Sequence, residues 1–363
     1  MTEPILEVEH LKVDFHTDEG TVHAVDDVSL TLTAGEVLAV VGESGSGKTV
    51  TAMALLGLNR SPNAVFGGRA MYQDTDLIAA SDAQLRKIRG AEIAMIFQDP
   101  MTSLNPVQRI GKQIAEQIQA HENLSDGETH DRVVALMERV GIPRAAERAR
   151  AYPHEFSGGM RQRVMIALAL SCSPSVLIAD EPTTALDVTI QAQILERLNE
   201  LKAETNAAII LVTHDLGVVA DIADRIAVMY GGRIVEQGTI DEIFYDPQHP
   251  YTWGLLGSIT RIDRDRGERL PSIAGLPPSL LAPPQGCHFR ARCPHEFAKC
   301  TEVPDLADRG AGHPDRCWLS TDDKRARREV APGEIGLATK PDVDGHRADV
   351  DAGSVQAAEV GDA

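Results

Sequence analysis

A chain of 363 residues carries 35 Lys and Arg against 54 Asp and Glu, a formal charge of −19, with 43% apolar and 25% charged residues. That length predicts two or three domains with ample core, and the composition is that of an ordinary water-soluble globular chain. The acidic balance argues against nucleic acid or anionic lipid as a partner, and no apolar run approaches the ~18 residues that cross a bilayer.

The first residues, Met1-Thr2-Glu3-Pro4, lack the basic stretch and apolar core of a secretion signal. The expected location is the cytoplasm, with any membrane role acting through a partner. Residues 6–15 and 22–32 alternate apolar and polar side chains, as paired antiparallel strands do, with Asp18-Glu19-Gly20 as the turn. An apolar strand over 37–41 follows, then a glycine-rich loop and a helix over 49–58 that Ser61-Pro62-Asn63 ends. Residues 93–97 read as a buried strand. The stretch 100–142 is more polar and mostly helix-patterned, with Val133, Leu136, Met137 and Val140 on one face. A helix is expected over 157–169 with Ser157 at its N-cap. Strands then alternate with helices: strand 176–179, helix 190–204, strand 208–213, helix 216–222 and strand 226–230. This order predicts a mostly parallel sheet covered on both faces. Strand 233–237 closes a hairpin at Gly231-Gly232. Prolines interrupt the chain after His249, a group of cysteines follows, and 321–363 reads as a disordered tail.

The loop Gly42-Glu43-Ser44-Gly45-Ser46-Gly47-Lys48-Thr49 fits G-x-x-x-x-G-K-[ST] in the strand–loop–helix setting that a phosphate-binding loop requires. Its glycines let successive backbone N–H groups turn inward onto phosphate oxygens, and the helix N-terminus adds partial positive charge. Lys48 would reach the β- and γ-phosphates and Thr49 would ligate Mg²⁺. Ser157, Gly158 and Gly159 open a second helix and form a second anion site by the same physics. Asp180 ends a buried strand, where a carboxylate suits Mg²⁺, and Glu181 is its neighbour.

The run Ser157-Gly158-Gly159-Met160-Arg161-Gln162-Arg163, followed by Val176-Leu177-Ile178-Ala179-Asp180-Glu181-Pro182, resembles the ATP-binding cassette family of ATPases. The resemblance implies an α/β fold: a RecA-like parallel-sheet core of P-loop NTPase type, an antiparallel β subdomain and a helical signature subdomain at about 100–165. It implies ATP and Mg²⁺ as ligands, Glu181 as general base, His214 as the switch residue on the γ-phosphate, and Gln98 as a ligand of Mg²⁺ or the attacking water that senses the membrane partner. Asp187 matches the loop that crosses between two sites, and also suits a helix N-cap. Phe15, or His16 after it, is placed to stack on adenine, although Phe15 also suits the core. In the family, the Ser157 turn of one subunit closes on ATP held by the other, so two ATPs lie in a head-to-tail dimer. Phe156 stands where Leu is usual, and Met160 where the last Gln is usual.

Four late cysteines, Cys287, Cys293, Cys300 and Cys317, are spaced C-x5-C-x6-C-x16-C, without the C-x2-C pairs of zinc ribbons. Cys172, in an apolar helical run, reads as a small core residue. Gly286-Cys287-His288-Phe289-Arg290-Ala291-Arg292-Cys293-Pro294, Phe97-Gln98-Asp99-Pro100 and His249-Pro250-Tyr251-Thr252 resemble the oligopeptide/dipeptide/nickel import ATPases. That resemblance implies a [4Fe–4S] cluster on the four cysteines, with zinc or free thiols as alternatives. It divides the chain into a cassette at 5–248, a C-terminal region at 249–320 and the tail. It implies uptake of di- or oligopeptides, or of nickel or another small solute, by a peripheral subunit on the cytoplasmic face of the cell membrane. The implied partners are two permeases, a second related ATPase and an extracytoplasmic binding protein. The rivals are a soluble nucleic-acid-associated cassette ATPase, which the single phosphate loop and the net charge disfavour, and an exporter ATPase, which the late Pro/Cys region disfavours.

Overall fold

The computed structural model describes residues 3–183, 188–258 and 273–328. Two sheets organise them. Strands β1 (Leu6–Thr17), β2 (Gly20–Leu32), β3 (Val37–Val41), β4 (Ala64–Tyr72), β5 (Thr75–Asp76) and β6 (Ile93–Ile96) come first. They are followed by β7 (Val176–Asp180), β8 (Ala208–Thr213), β9 (Arg225–Tyr230), β10 (Arg233–Thr239), β11 (Ala307–Asp308) and β12 (Pro314–Asp315). The smaller sheet is antiparallel in the order β2-β1-β4-β5, and the larger runs β11-β12-β10-β9-β3-β8-β7-β6. Its five strands β9, β3, β8, β7 and β6 are parallel, and β10 pairs antiparallel to β9.

Every residue of β3, β7 and β8 is buried. A strand covered on both faces has no solvent side, which is why these segments read as apolar runs up to the polar residues Asp180 and Thr213 that end β7 and β8. Alternate side chains feed two different cores. Val37, Ala39 and Val41 join the core shared with the helical subdomain, whereas Leu38 and Val40 join the core beneath the antiparallel sheet.

The helices follow the periodicity. They are α1 (Lys48–Leu55), α2 (Asp82–Ile88), α3 (Pro100–Ser103), α4 (Ile110–His121), α5 (Asp126–Arg139), α6 (Ala145–Arg148) and α7 (Gly158–Ala169) in the first part. In the second part they are α8 (Val188–Thr205), α9 (Leu216–Ile222), α10 (Ile240–Tyr245), α11 (Pro250–Gly257) and α12 (Thr321–Arg327). The α4 face Ile110, Ile114 and Ile118 is fully buried at i,i+4 spacing, and Val133, Leu136, Met137 and Val140 in and just after α5 are buried at i, i+3, i+4, i+7. A capping box of Ser125 and Glu128 starts α5 and separates it from α4. The first helix ends at Leu55 rather than Leu58, because Gly57 turns left-handed at φ 58°.

Strand β4 was not expected. Gly67 and Gly68 interrupt its apolar pattern, and Gly68 at φ 81° lies against the His10 carbonyl where β1 and β4 shift register. The C-terminal region also departs from its expected separation. Strand β12 pairs with β10 at Glu236 and Asp315, so residues beyond 249 extend the cassette's own sheet. The tail expected to be disordered from 321 begins instead with α12. Ser320 caps that helix, and Lys324 is wholly buried in an ion pair with Asp315. The remaining tail residues, 329–363, lie outside the described residues, as does Asp187.

Candidate active site

The site lies along the carboxyl edge of the parallel strands, where an open α/β sheet offers its crevice. Gly42 follows β3, Gln98 lies two residues past β6, Asp180 ends β7 and His214 follows β8. Four chain segments, far apart in sequence, therefore deliver polar side chains to one edge.

The phosphate loop spans 42–47, and Gly47, at φ 103°, is the N-cap of α1. A Cβ at Gly42 would stand 2.1 Å from the Met229 carbonyl oxygen, and one at Gly47 would stand 2.4 Å from that of Ala24. Backbone presses on the loop from behind, so glycine is required at both positions. Lys48 is buried, and its Nζ donates to the Gly42 and Glu43 carbonyls at 2.8 and 2.9 Å. Burial lowers the Lys48 pKa, against the opposing pull of Glu181, Asp180 and Glu43. Thr49 Oγ1 donates to Asp180 Oδ1 at 3.1 Å. This hydroxyl and carboxylate are hard oxygen donors that fit Mg²⁺. Burial raises the Asp180 pKa, and neighbouring Glu181 adds to it.

Glu181 is held in a left-handed conformation at φ 45°, with its N–H donating to the Val212 carbonyl at 2.8 Å. Gln98 Nε2 donates to Glu181 Oε2 at 2.9 Å, and His214 Nδ1 lies 3.1 Å from Glu181 Oε1. The three residues expected to do the chemistry are thus joined into one chain, Gln98–Glu181–His214.

Ser157 caps α7 by accepting from the Met160 N–H, and Ser157 and Gly158 are exposed. Space around Gly158 is open: a Cβ there would meet nothing within 4 Å. Phe156, just before, is buried in the subdomain core. Among the described residues, no hydrogen bond or ion pair joins the Ser157 turn to residues 42–49. Phe15 packs partly buried against the antiparallel-sheet core, whereas His16 is exposed and reaches Thr21 Oγ1 at 3.0 Å.

Two contacts to the phosphate loop escaped the sequence reading. Tyr251 OH accepts from the Glu43 N–H at 2.8 Å, and Arg292 grips the Glu43 carboxylate with both terminal nitrogens. Their partner is more than 200 residues away, and no spacing rule links them.

Cys287, Cys293, Cys300 and Cys317 line one pocket together with Phe289, Phe297 and Leu319. Burial raises all three thiol pKa values for which a shift is resolved, to about 11 at Cys293, to about 12 at Cys317 and upward at Cys287. Among the described residues, no three His, Cys, Asp or Glu side chains are gathered as ligands of one metal ion. The region forms a four-thiol pocket. Cys172 is half-buried, with Sγ 3.8 Å from the Gln117 carbonyl oxygen, which suits a packing role.

A family profile for the ABC transporter matches residues 25–184, and one for the oligopeptide/dipeptide transporter C-terminal region matches 235–300. The chain is 51% identical to the dipeptide transport ATP-binding protein DppD of Bacillus subtilis, over 92% of this chain and 99% of that one. It is 50% identical to the oligopeptide transport ATP-binding protein OppD of Escherichia coli, over 86% and 93%. Among solved structures it resembles a dimeric bacterial ABC transporter cassette, with TM-score 0.59 and 25% identity over 65% of this chain and 98% of that one. It also resembles cbiO1 of Clostridium perfringens, with TM-score 0.56 and 30% identity over 67% and 91%. The chain therefore belongs to the ATP-binding cassette transporter family, as an ATPase that carries the oligopeptide/dipeptide-type C-terminal region.

Proposed function

We propose that this chain is the ATP-hydrolysing subunit of an importer for di- or oligopeptides. The observation that carries the reading is the convergence of Gln98, Glu181 and His214 beside the Thr49–Asp180 pair. The similarity to peptide transport ATP-binding proteins over nearly their whole length supports the substrate class.

In this reading ATP lies along residues 42–49. Lys48 leaves its two loop carbonyls for the β- and γ-phosphates. Mg²⁺, when bound, neutralises phosphate charge, and Thr49, Asp180 and Gln98 would hold it. Glu181 accepts a proton from the attacking water, a role that suits a carboxylate already steered by two neighbours. His214 donates toward the γ-phosphate. His16 is the exposed member of the adenine pair. Ser157, Gly158 and Gly159 face a second subunit and complete its ATP site, with Asp187 at the crossing between sites. Hydrolysis removes the contacts that hold the pair closed, so transport follows a population shift between closed and open dimers.

No helix among the described residues is long and apolar enough to cross a membrane. The chain acts peripherally on the cytoplasmic face, with two permeases, a sister ATPase and an extracytoplasmic binding protein, and without nucleic acid. The test is uptake of labelled di- and oligopeptides by cells whose only copy carries Glu181→Gln. Uptake should be abolished, and unchanged uptake would refute the import role.

The four-thiol pocket is where a [4Fe–4S] cluster would sit, held by Cys287, Cys293, Cys300 and Cys317 as a structural staple. Burial keeps these thiols protonated, so they need a strong cationic partner to ionise. Anaerobically purified protein should be brown and contain iron and acid-labile sulfide, and Cys293→Ser should lose the colour. A colourless protein, or one holding zinc, would overturn this assignment.

A further inference from the structure

The phosphate loop is held from outside the cassette. Arg292 lies in a short 3-10 turn, Arg290–Arg292, between Cys287 and Cys293. Its Nη1 donates to Glu43 Oε2 at 2.7 Å and its Nη2 to Glu43 Oε1 at 3.0 Å, a two-bond fork on one carboxylate. The rest of the guanidinium is also used. Nη1 donates to Tyr230 OH, Nη2 to the Ile273 carbonyl and Nε to the Ala274 carbonyl. The group lies over the Tyr230 ring at 5.7 Å, and the side chain is only 6% exposed. The pairing with Glu43 raises the Arg292 pKa, so the cation is permanent. Tyr251 holds the backbone of the same loop residue.

This grip has two physical consequences. A loop with left-handed glycines at 45 and 47 is intrinsically pliable, and fixing Glu43 at side chain and backbone preorganises the cradle. Glu43 also lies close enough to Lys48 to act on its charge. Without Arg292, an unneutralised carboxylate would stand beside a site that must accept polyanionic phosphates. Lysine would not reproduce the arrangement, because it lacks the planar fork.

We propose that Arg292 is a positioning residue for the phosphate loop, through which the cysteine-bearing region sets the affinity for ATP. The proposal rests on residues 42–49 being the phosphate cradle.

The test measures binding of trinitrophenyl-ATP, and the KM and kcat for ATP, with purified full-length chain. Arg292→Ala should weaken binding and raise KM roughly tenfold, the scale of one lost charge-assisted contact. At saturating ATP, kcat should stay within roughly threefold. Arg292→Lys should recover only part of the affinity. Adding Glu43→Gln to Arg292→Ala should restore part of the affinity, because the exposed carboxylate is gone while the loop stays ungripped; a role confined to packing of the cysteine-bearing region would not be rescued at all. Unchanged affinity in Arg292→Ala, or a double variant as weak as the single one, overturns the proposal. Lys48→Ala is the control for the cradle itself. If it binds ATP like wild type, the cradle reading fails; if it loses binding while Arg292→Ala does not, only the Arg292 proposal fails.

Discussion

Glu181→Gln should lower kcat for ATP hydrolysis by about 10²–10⁴-fold, the usual contribution of a general base, while ATP still binds. The expectation follows from geometry. The Glu181 carboxylate lies at the end of a rigid strand, and its backbone is fixed by Val212 in a left-handed conformation. Gln98 and His214 occupy one oxygen each. Glutamine keeps the size and can keep those contacts, but it cannot accept a proton from water. Lys48 and the Thr49–Asp180 pair are untouched, so the KM for ATP should change far less than kcat. A variant that hydrolyses ATP at the wild-type rate would remove Glu181 from the chemistry.

The second large effect concerns stability. Lys324→Met should destabilise the protein by about 3–5 kcal/mol, because breaking a buried ion pair strands the remaining charge. Lys324 and Asp315 are both fully buried, with Nζ 2.6 Å from Oδ2. Asp315 faces Glu236 across β10 and β12, and Glu236 is also fully buried. Glu236 is satisfied by the His249 N–H and His313 Nε2. The stranded Asp315 would have no such supply, and its other oxygen already accepts from the Cys317 N–H. The loss therefore reaches the four-thiol pocket. Denaturant unfolding measures the cost. Replacing both partners, Lys324→Met with Asp315→Leu, should recover most of it. A single variant as stable as wild type would mean that α12 does not anchor the C-terminal region.

Much of the cassette was legible in the chain. The runs at 37–41, 176–179 and 208–212 could be read because strands buried on both faces leave no polar positions along their length. The candidate residues Lys48, Ser157, Asp180 and His214 stood out because they lie at or next to a strand end or helix start, where local sequence shows polar chemistry beside an apolar run. Other features depend on distant pairing. Strand β4 is masked by Gly67 and Gly68, and β11 and β12 are two residues each, too short to carry a period. The buried Lys324 looked like one charge in a charged tail until Asp315 was placed against it. The Arg292 fork on Glu43 likewise depends on a contact across 249 residues. The four thiols were legible as a late group, whereas the apolar pocket they share with Phe289, Phe297 and Leu319 depends on folding.

In the proposed dimer, one chain's phosphate loop is completed by the Ser157 turn of another. Purified Glu181→Gln protein, alone and mixed with its sister ATPase, can be weighed by light scattering with and without ATP and Mg²⁺. A dimer should form only with ATP and be lost with Ser157→Arg. A protein that stays monomeric with ATP in both preparations would contradict it.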